Sequence, residues 1–435
     1  PDTMKRRYTM WVMVILAFSL LAAACGDSDS GTEETTTTTA AETTTTEATT
    51  TTEGTTTTTE ALPPIVIWAD EKRAAALETV VPAFTEATGV DVEIVLVDFG
   101  SIREEVITKG PVGEGPDLFV GASDWVGELA TNGALAVLDL GTRSGEFTEA
   151  SLAALNYQGA QHGLPYATEA VALYYNMDLV TEAPATIEEL TAACDAIEVE
   201  SCLGIPGGND GGDAYHHYPF ISALGGYIFG YDAATGFDVQ DVGLASEGSI
   251  AGLTVLENLI ADGYVPSTNY DDAKNLFLEG SQAFWLTGPW ELGTLNDQDT
   301  VNWGVTTLPT IDGQSMNPFV GVQGFFLSEF SENKALATEF LLNFIATPEA
   351  QLALFEADPR GAANIATLEA ISDDPIFATF GASASTGSPL PNVPEMGAVW
   401  GPVGDNILAM RNGDIDAETA MTNAAEQVTT VINEG

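Results

Sequence analysis

Residues 65–97 read IVIWADEKRAAALETVVPAFTEATGVDVEIVLV, and the pattern in this stretch decides the fold class. Ile65-Val66-Ile67-Trp68 is a short apolar run of the kind a buried strand uses. Between Ala74 and Ala87, Leu77, Val80, Val81 and Phe84 recur at helical spacing, and Gly89 stands where a helix stops. Pro82 interrupts that pattern, and a ring without an N–H kinks or restarts a helix. Val92 to Val97 is β-branched, and Asp117-Leu118-Phe119-Val120 supplies a third apolar run. Strands alternating with helices in this order predict an α/β fold with a mainly parallel sheet and covering helices.

The same reading extends outward. Ala170 to Tyr175 reads as a strand, and Thr186 with Glu189 forms a capping box before a helix ending near Cys194. Ile250, Leu253, Leu256 and Leu259 mark a helix stopped by Gly263, and later helices are expected from Lys334 to Ile345 and from Ala417 to Ile432. Cys194 and Cys202 are close enough in sequence to close a small local disulfide in an oxidising compartment; the alternative is two buried thiols.

The stretch before residue 65 is of another kind. After Pro1-Asp2-Thr3, Met4 opens a basic run, Lys5-Arg6-Arg7, followed by an apolar run from about Trp11 to Leu21 and then Ala22-Ala23-Ala24-Cys25. This is the layout of a signal peptide over residues 1–24, and Cys25 after small residues resembles a lipoprotein signal, in which that cysteine is lipidated. An ordinary secretory cut would leave Cys25 a free thiol. Residues 25–64 are Thr with Glu, Ala, Asp, Ser and Gly, so little in them can be buried, and they are expected to act as a tether.

Charge narrows the function further. The 435 residues carry 12 Lys+Arg against 64 Asp+Glu, a formal net charge of −52. Cutting after residue 24 removes Lys5, Arg6, Arg7 and Asp2, leaving 9 basic and 63 acidic residues. So acidic a chain repels the phosphate backbone of nucleic acid and anionic membrane surfaces. The three histidines, His162, His216 and His217, belong to no HExxH, and no CxxC, Walker loop or GxSxG is present. What recurs instead is an aromatic ring beside a carboxylate: Trp68 before Asp70-Glu71-Lys72, Asp124-Trp125, Tyr166 near Glu169, Asp213-Ala214-Tyr215, Trp290-Glu291, and in addition Trp400. A sugar presents apolar C–H faces to a flat ring and a rim of hydroxyls to acids and amides, so this combination suits a neutral oligosaccharide. Each pair alone is more often core packing or surface.

Their order along the chain adds weight. Val66-Ile67-Trp68, Phe84 to Val90, Gly115-Pro116-Asp117, Leu164-Pro165-Tyr166 through Glu169 to Leu179, Gly225-Gly226-Tyr227, Thr287-Gly288-Pro289-Trp290, Phe319 to Val322, and Pro391 to Met396 followed by Trp400 are colinear with one family. Over nearly its whole length the body resembles the maltose/maltodextrin-binding proteins of ABC importers, within the extracellular solute-binding proteins. The resemblance implies the two-lobed periplasmic-binding-protein fold (type II), α/β lobes joined by crossing strands, with sugar held in the cleft between them and no catalysis. It divides the body into residues 65–167 with 318–372 and residues 168–317 with 373–435.

Carried across by position, Glu71, Lys72 and Asp124 match groups that hydrogen-bond sugar hydroxyls, and Glu169 matches a carboxylate near the crossing. Asp213 stands where the family has Glu, Tyr215 matches a stacking tyrosine, and Trp290 and Trp400 match two tryptophan platforms. Trp125 replaces an arginine, Gly121 a tryptophan and Gly404 a further arginine, so the contacts differ in detail. Arg103, in a loop expected to face the cleft, is either a restored donor or a solvated surface residue. His216 and His217 are expected to be packing or rim residues, and no metal or cofactor is expected. The expected function is a lipid-anchored, monomeric binding protein that presents maltose or maltodextrins to a membrane permease. Trehalose, cyclodextrin or a galacto-oligosaccharide would suit the same residues; an extracellular glycosidase, or a ligand-independent adhesion module, is the rival from another class.

Overall fold

The computed structural model describes residues 62–199, 201–207, 211–266 and 269–434, so the leader, Cys25 and nearly all of the Thr-rich stretch lie outside the described residues. Strands Ile65–Ala69, Val92–Leu96 and Leu118–Ala122 run parallel, with the first in the middle. Phe319–Leu327 adds antiparallel to Leu118–Ala122, and Gly163–Glu169 adds antiparallel to Phe319–Leu327. Alternate side chains leave opposite faces of a strand. Ile65, Ile67, Leu118 and Val120 therefore enter one core, while Trp68, Phe119 and Phe326 enter the other.

Pro82 restarts the helix as the sequence allows: one helix is Glu71–Leu77, and a second, Val81–Thr88, carries the proline in its first turn, where no N–H is needed. Gly89 ends the second helix in the left-handed region at φ 72°, and its N–H bonds Thr85.

The second sheet runs in the order Trp303–Thr306, Ala172–Asn176, Gln282–Thr287, Ser201–Gly204. Leu173, Phe284 and Leu286 face a core built with helices Ala214–Ala223, Glu247–Ala261, Gly397–Arg411 and Ala417–Glu434. Tyr174 and Trp285 face the other way, towards Phe277 and Phe380. The capping box forms at helix Ile187–Asp195: Thr186 accepts from the Glu189 N–H, and the Glu189 carboxylate accepts from the Ala185 N–H at 2.8 Å. Cys194 and Cys202 are joined as a disulfide with Cα atoms 5.7 Å apart, tying this helix to an edge strand. The helix expected to Ile345 is α-helical over Lys334–Phe340 and continues as a wider π turn, Leu341–Ile345.

Two α/β lobes thus arise from one chain that passes repeatedly between two sheets. Only the buried Ala170 and Val171 separate strand Gly163–Glu169 of the first sheet from strand Ala172–Asn176 of the second. The chain returns before Phe319–Leu327 and leaves again after Ala362, where helix Pro375–Thr386 packs Phe380 on the second sheet. Ser388–Pro389 then pairs with Phe319–Val320, and the Asn392 amide donates to the carbonyls of Ala153, Ala154 and Asn156 at 3.3, 3.1 and 2.9 Å.

At this seam the Arg360 guanidinium, 2% exposed, bonds both Glu169 and Asp358, the latter at 2.6 Å. The Gln323 amide donates to Glu169 at 3.2 Å. Burial works against the charge on Arg360, but the attraction of Glu169 and Asp358 outweighs it and holds the guanidinium charged well above the ordinary arginine range. Removing one member of such a cluster leaves buried charge uncompensated, so Arg360→Met should cost about 3–5 kcal/mol in a denaturant melt. A loss below about 1 kcal/mol would contradict this account of the seam.

Candidate ligand-binding cleft

The three parallel strands of the first sheet end on one rim, and each is followed by a short polar segment. Ile65–Ala69 leads to Asp70, whose side chain caps helix Glu71–Leu77. Val92–Leu96 leads to Asp98 and Phe99, and Leu118–Ala122 leads to Asp124 and Trp125. Carboxyl ends of parallel strands are where open α/β sheets place ligands. Facing this rim are Tyr215 from helix Ala214–Ala223, Trp290 from the turn after Gln282–Thr287, and Trp400 from helix Gly397–Arg411. Between the two walls lies a cavity of about 890 Å³, floored by Glu169, Gln323 and Arg360 of the seam.

Nine of the ten sequence-derived residues line this one cavity: Glu71, Lys72, Arg103, Asp124, Trp125, Glu169, Tyr215, Trp290 and Trp400. Asp213 does not. Its carboxylate caps helix Ala214–Ala223, accepting from the His216 N–H at 3.0 Å, and meets the His216 ring Nδ1 at 2.6 Å. Asp213 therefore fixes the first turn that carries Tyr215. Trp68 is also away from the cavity, 5% exposed in the core with Lys109 over its ring at 5.5 Å. His217 bridges the Asp213 carbonyl at 2.5 Å and the Arg411 guanidinium at 2.8 Å, and burial, with Arg411 nearby, lowers its pKa to about 3. Among the described residues no cluster of His, Cys, Asp or Glu is arranged to hold a metal.

Direct bonds span the cleft, and the Lys72 ammonium also lies 3.5 Å from the Glu291 carboxylate of the facing wall. The Trp400 indole donates to Asp124 at 3.1 Å, and the Lys72 ammonium donates to the Trp290 carbonyl at 2.5 Å. Trp290 is held from behind: its indole donates to the Tyr270 hydroxyl at 2.7 Å, and that hydroxyl donates to Glu291 at 2.8 Å. Burial alone would raise the Glu291 carboxyl, but Lys72 and Lys274 outweigh it and lower its pKa. Burial pushes Asp124 up to about 6, against the pull of Arg103 and of the Trp400 hydrogen bond. Burial also lowers the Lys72 ammonium, with Glu291 opposing.

The departures at the glycines have steric causes. A Cβ on Gly121 would lie 2.5 Å from the Trp125 ring, so Trp125 fills the space that a larger residue at 121 would take. A Cβ on Gly404 would lie 2.5 Å from the Gly212 carbonyl, which leaves no room for a side chain. Trp125 is further packed on Phe99, with ring centroids 4.8 Å apart, and the Arg73 guanidinium sits 4.1 Å over Phe99.

Sequence reasoning missed Arg73, Phe99, Tyr270, Gln323 and Arg360, all on the cavity wall. Two signals were available. Asp98-Phe99 and Tyr270-Asp271 repeat the ring-beside-acid pattern, and Arg73 and Arg360 are two of only nine basic residues from residue 25 onward. Four of those nine, Lys72, Arg73, Arg103 and Arg360, line the cavity.

Residues 79–379 match the family described as bacterial extracellular solute-binding protein. The chain is 29% identical over 377 residues to a galactooligosaccharide-binding protein of Bacillus subtilis, covering 83% of this chain and 88% of that one. It is 31% identical over 345 residues to a maltotriose-binding protein of Pyrococcus abyssi, covering 75% and 73%. A maltooligosaccharide ABC transporter solute-binding lipoprotein of Streptococcus pneumoniae is 27% identical over 388 residues, covering 85% and 89%. A family match across most of the body, together with a cleft walled by both of its α/β lobes, places this chain among the bacterial extracellular solute-binding proteins.

Proposed function

We propose that the protein captures a neutral oligosaccharide of the maltodextrin type outside the cytoplasm and delivers it to the permease of an ABC importer. The observation that carries this reading is the set of rings Trp125, Tyr215, Trp290 and Trp400 around one cavity of about 890 Å³, interleaved with groups that bond hydroxyls. Rings take the C–H faces of pyranoses, while Glu71, Lys72, Arg103 and Asp124 take their rims. The relatives support the reading, being named for galactooligosaccharide, maltotriose and maltooligosaccharide. Ligand touching both walls favours the closed arrangement of the lobes, and closure is what a permease can read. Residues 65–167 with 318–372 form one moving body in this proposal, and 168–317 with 373–435 the other. Lipidation at Cys25 tethers both to the membrane.

A glycosidase would need two carboxyl groups free to straddle one glycosidic bond. Glu169 is engaged by Arg360 and Gln323, and the relatives are named as binding proteins, which supports binding over hydrolysis. The binding reading therefore stands as the better account.

A thermal-shift screen across maltose, maltotriose, trehalose, cyclodextrin and galacto-oligosaccharides tests it, because a ligand that binds only the folded form raises the apparent Tm. Maltotriose is expected to raise it. Trp290→Ala or Trp400→Ala should weaken its affinity by about 10- to 100-fold with little change in the apo Tm. Loss of apo stability with unchanged affinity would make these rings packing residues instead.

Asp124 gives a pH dependence with a defined sign. Its folded pKa, near 6, is above the ordinary carboxyl value, so its contribution to apo stability is full below about pH 4 and is lost as pH rises through 6. Hydroxyl donors favour the ionised form, so maltotriose affinity should fall as pH drops below 6. Asp124→Asn should flatten that profile and raise the apo Tm at pH 7. Titration calorimetry at pH 7.5, 6 and 5 checks this, and an affinity independent of pH in the native protein would remove Asp124 from the binding surface.

A further inference from the structure

We propose that the protein carries a second saccharide site, outside the interlobe cleft and separated from it by one ring. It is a pocket of about 390 Å³ between the hairpin of strands Phe229–Asp232 and Gly236–Val242 and the seam segment 388–391. The inference rests on the neutral-sugar reading of the cleft.

The dividing wall is thin. Phe319 stacks on Tyr218 in the pocket with centroids 3.6 Å apart and planes at 5°, and it also lies 5.9 Å from Tyr215 and 6.0 Å from Trp400 of the cleft. Pro389 and Pro391 line the pocket, whereas Leu390 between them lines the cleft. Successive side chains of this segment thus serve opposite cavities.

The lining has the chemistry that defines the cleft. Tyr231, 52% exposed, packs against Phe237 with centroids 4.7 Å apart and offers an outer ring. The Tyr227 hydroxyl donates to Asp241 at 3.0 Å. A carboxylate has about four acceptor positions, so Asp241 retains capacity for further hydroxyl donors after this bond. Rings for the C–H face, phenols and one carboxylate for the rim, and a volume within the usual range for small-molecule pockets suit a pyranose. Asp241 and a chain charge of −52 disfavour an anion, and the ring faces beside a hydroxyl-accepting rim favour a neutral sugar like that read for the cleft.

Because Phe319 of the pocket packs on Tyr215 and Trp400 of the cleft, and Leu390 of the cleft lies between Pro389 and Pro391 of the pocket, the occupant lies against elements that join the lobes. A second sugar there would be held more weakly than the first, since the pocket has less than half the volume and its outer ring is half exposed.

Equilibrium dialysis of the folded chain against labelled maltose, carried into the millimolar range, tests the proposal. The native protein is expected to bind two sugars, the second at least about tenfold more weakly. Tyr231→Ala/Asp241→Asn, altered only at exposed positions, is expected to bind one, with the tighter affinity unchanged. One sugar in both proteins, or two in both, overturns the second site and leaves the cleft reading intact. No sugar in either overturns the neutral-sugar reading and this site with it.

Discussion

Arg360 lies between Glu169 and Asp358 at the place where the chain passes from one sheet to the other, and each of these charges is nearly shut off from water. An ion in that position is tolerated only while its partners stay, since the desolvation cost is several kcal/mol per charge. Glu169 is the last residue of a strand separated by only two residues from the next strand, which lies in the second sheet, so the cluster fixes where the crossing runs. Gln323, from the central antiparallel strand, closes the same cluster. The cleft floor is therefore built before any ligand arrives, and ligand binding has only the walls left to order.

That floor also explains how so acidic a protein can bind through hydrogen bonds. With 64 acids against 12 bases, a random surface would offer acceptors and few donors. Four of the nine cationic side chains from residue 25 onward are instead gathered where the two walls meet, Lys72, Arg73, Arg103 and Arg360, with Arg73 paired to Asp70, Arg103 to Glu128 and Arg360 to Glu169. Short-range complementarity of this kind works on a molecule without net charge. It gives nothing to long-range steering, which would need a ligand of opposite sign.

Much of this was legible in the sequence because local patterns coincide with local physics. The strand–helix–strand order of residues 65–97 marks the first sheet, and Pro82 marks the helix restart, because both depend on near neighbours. The cleft rings Trp290 and Trp400 were legible through colinear motifs. Asp213 lies off the cavity lining: an acid ahead of a helix serves as a cap as readily as a ligand contact, and in the fold the first turn and His216 engage it. Trp68 resembles the other rings in sequence, but its strand is central, and the alternation of the sheet sends it inward. Arg360 and Gln323 carried no motif at all: their significance comes from Glu169, 191 and 154 residues away in sequence, a separation that only the folded chain closes.

A neutral oligosaccharide held by ring faces and short hydrogen bonds in the interlobe cleft is the central proposal for this protein. Titration calorimetry with maltotriose at low and at high ionic strength measures this most directly. Saturable binding whose dissociation constant changes by less than about threefold with salt is the expected result. Absence of binding, or a weakening of about a hundredfold or more with added salt, would contradict it and point to a charged ligand.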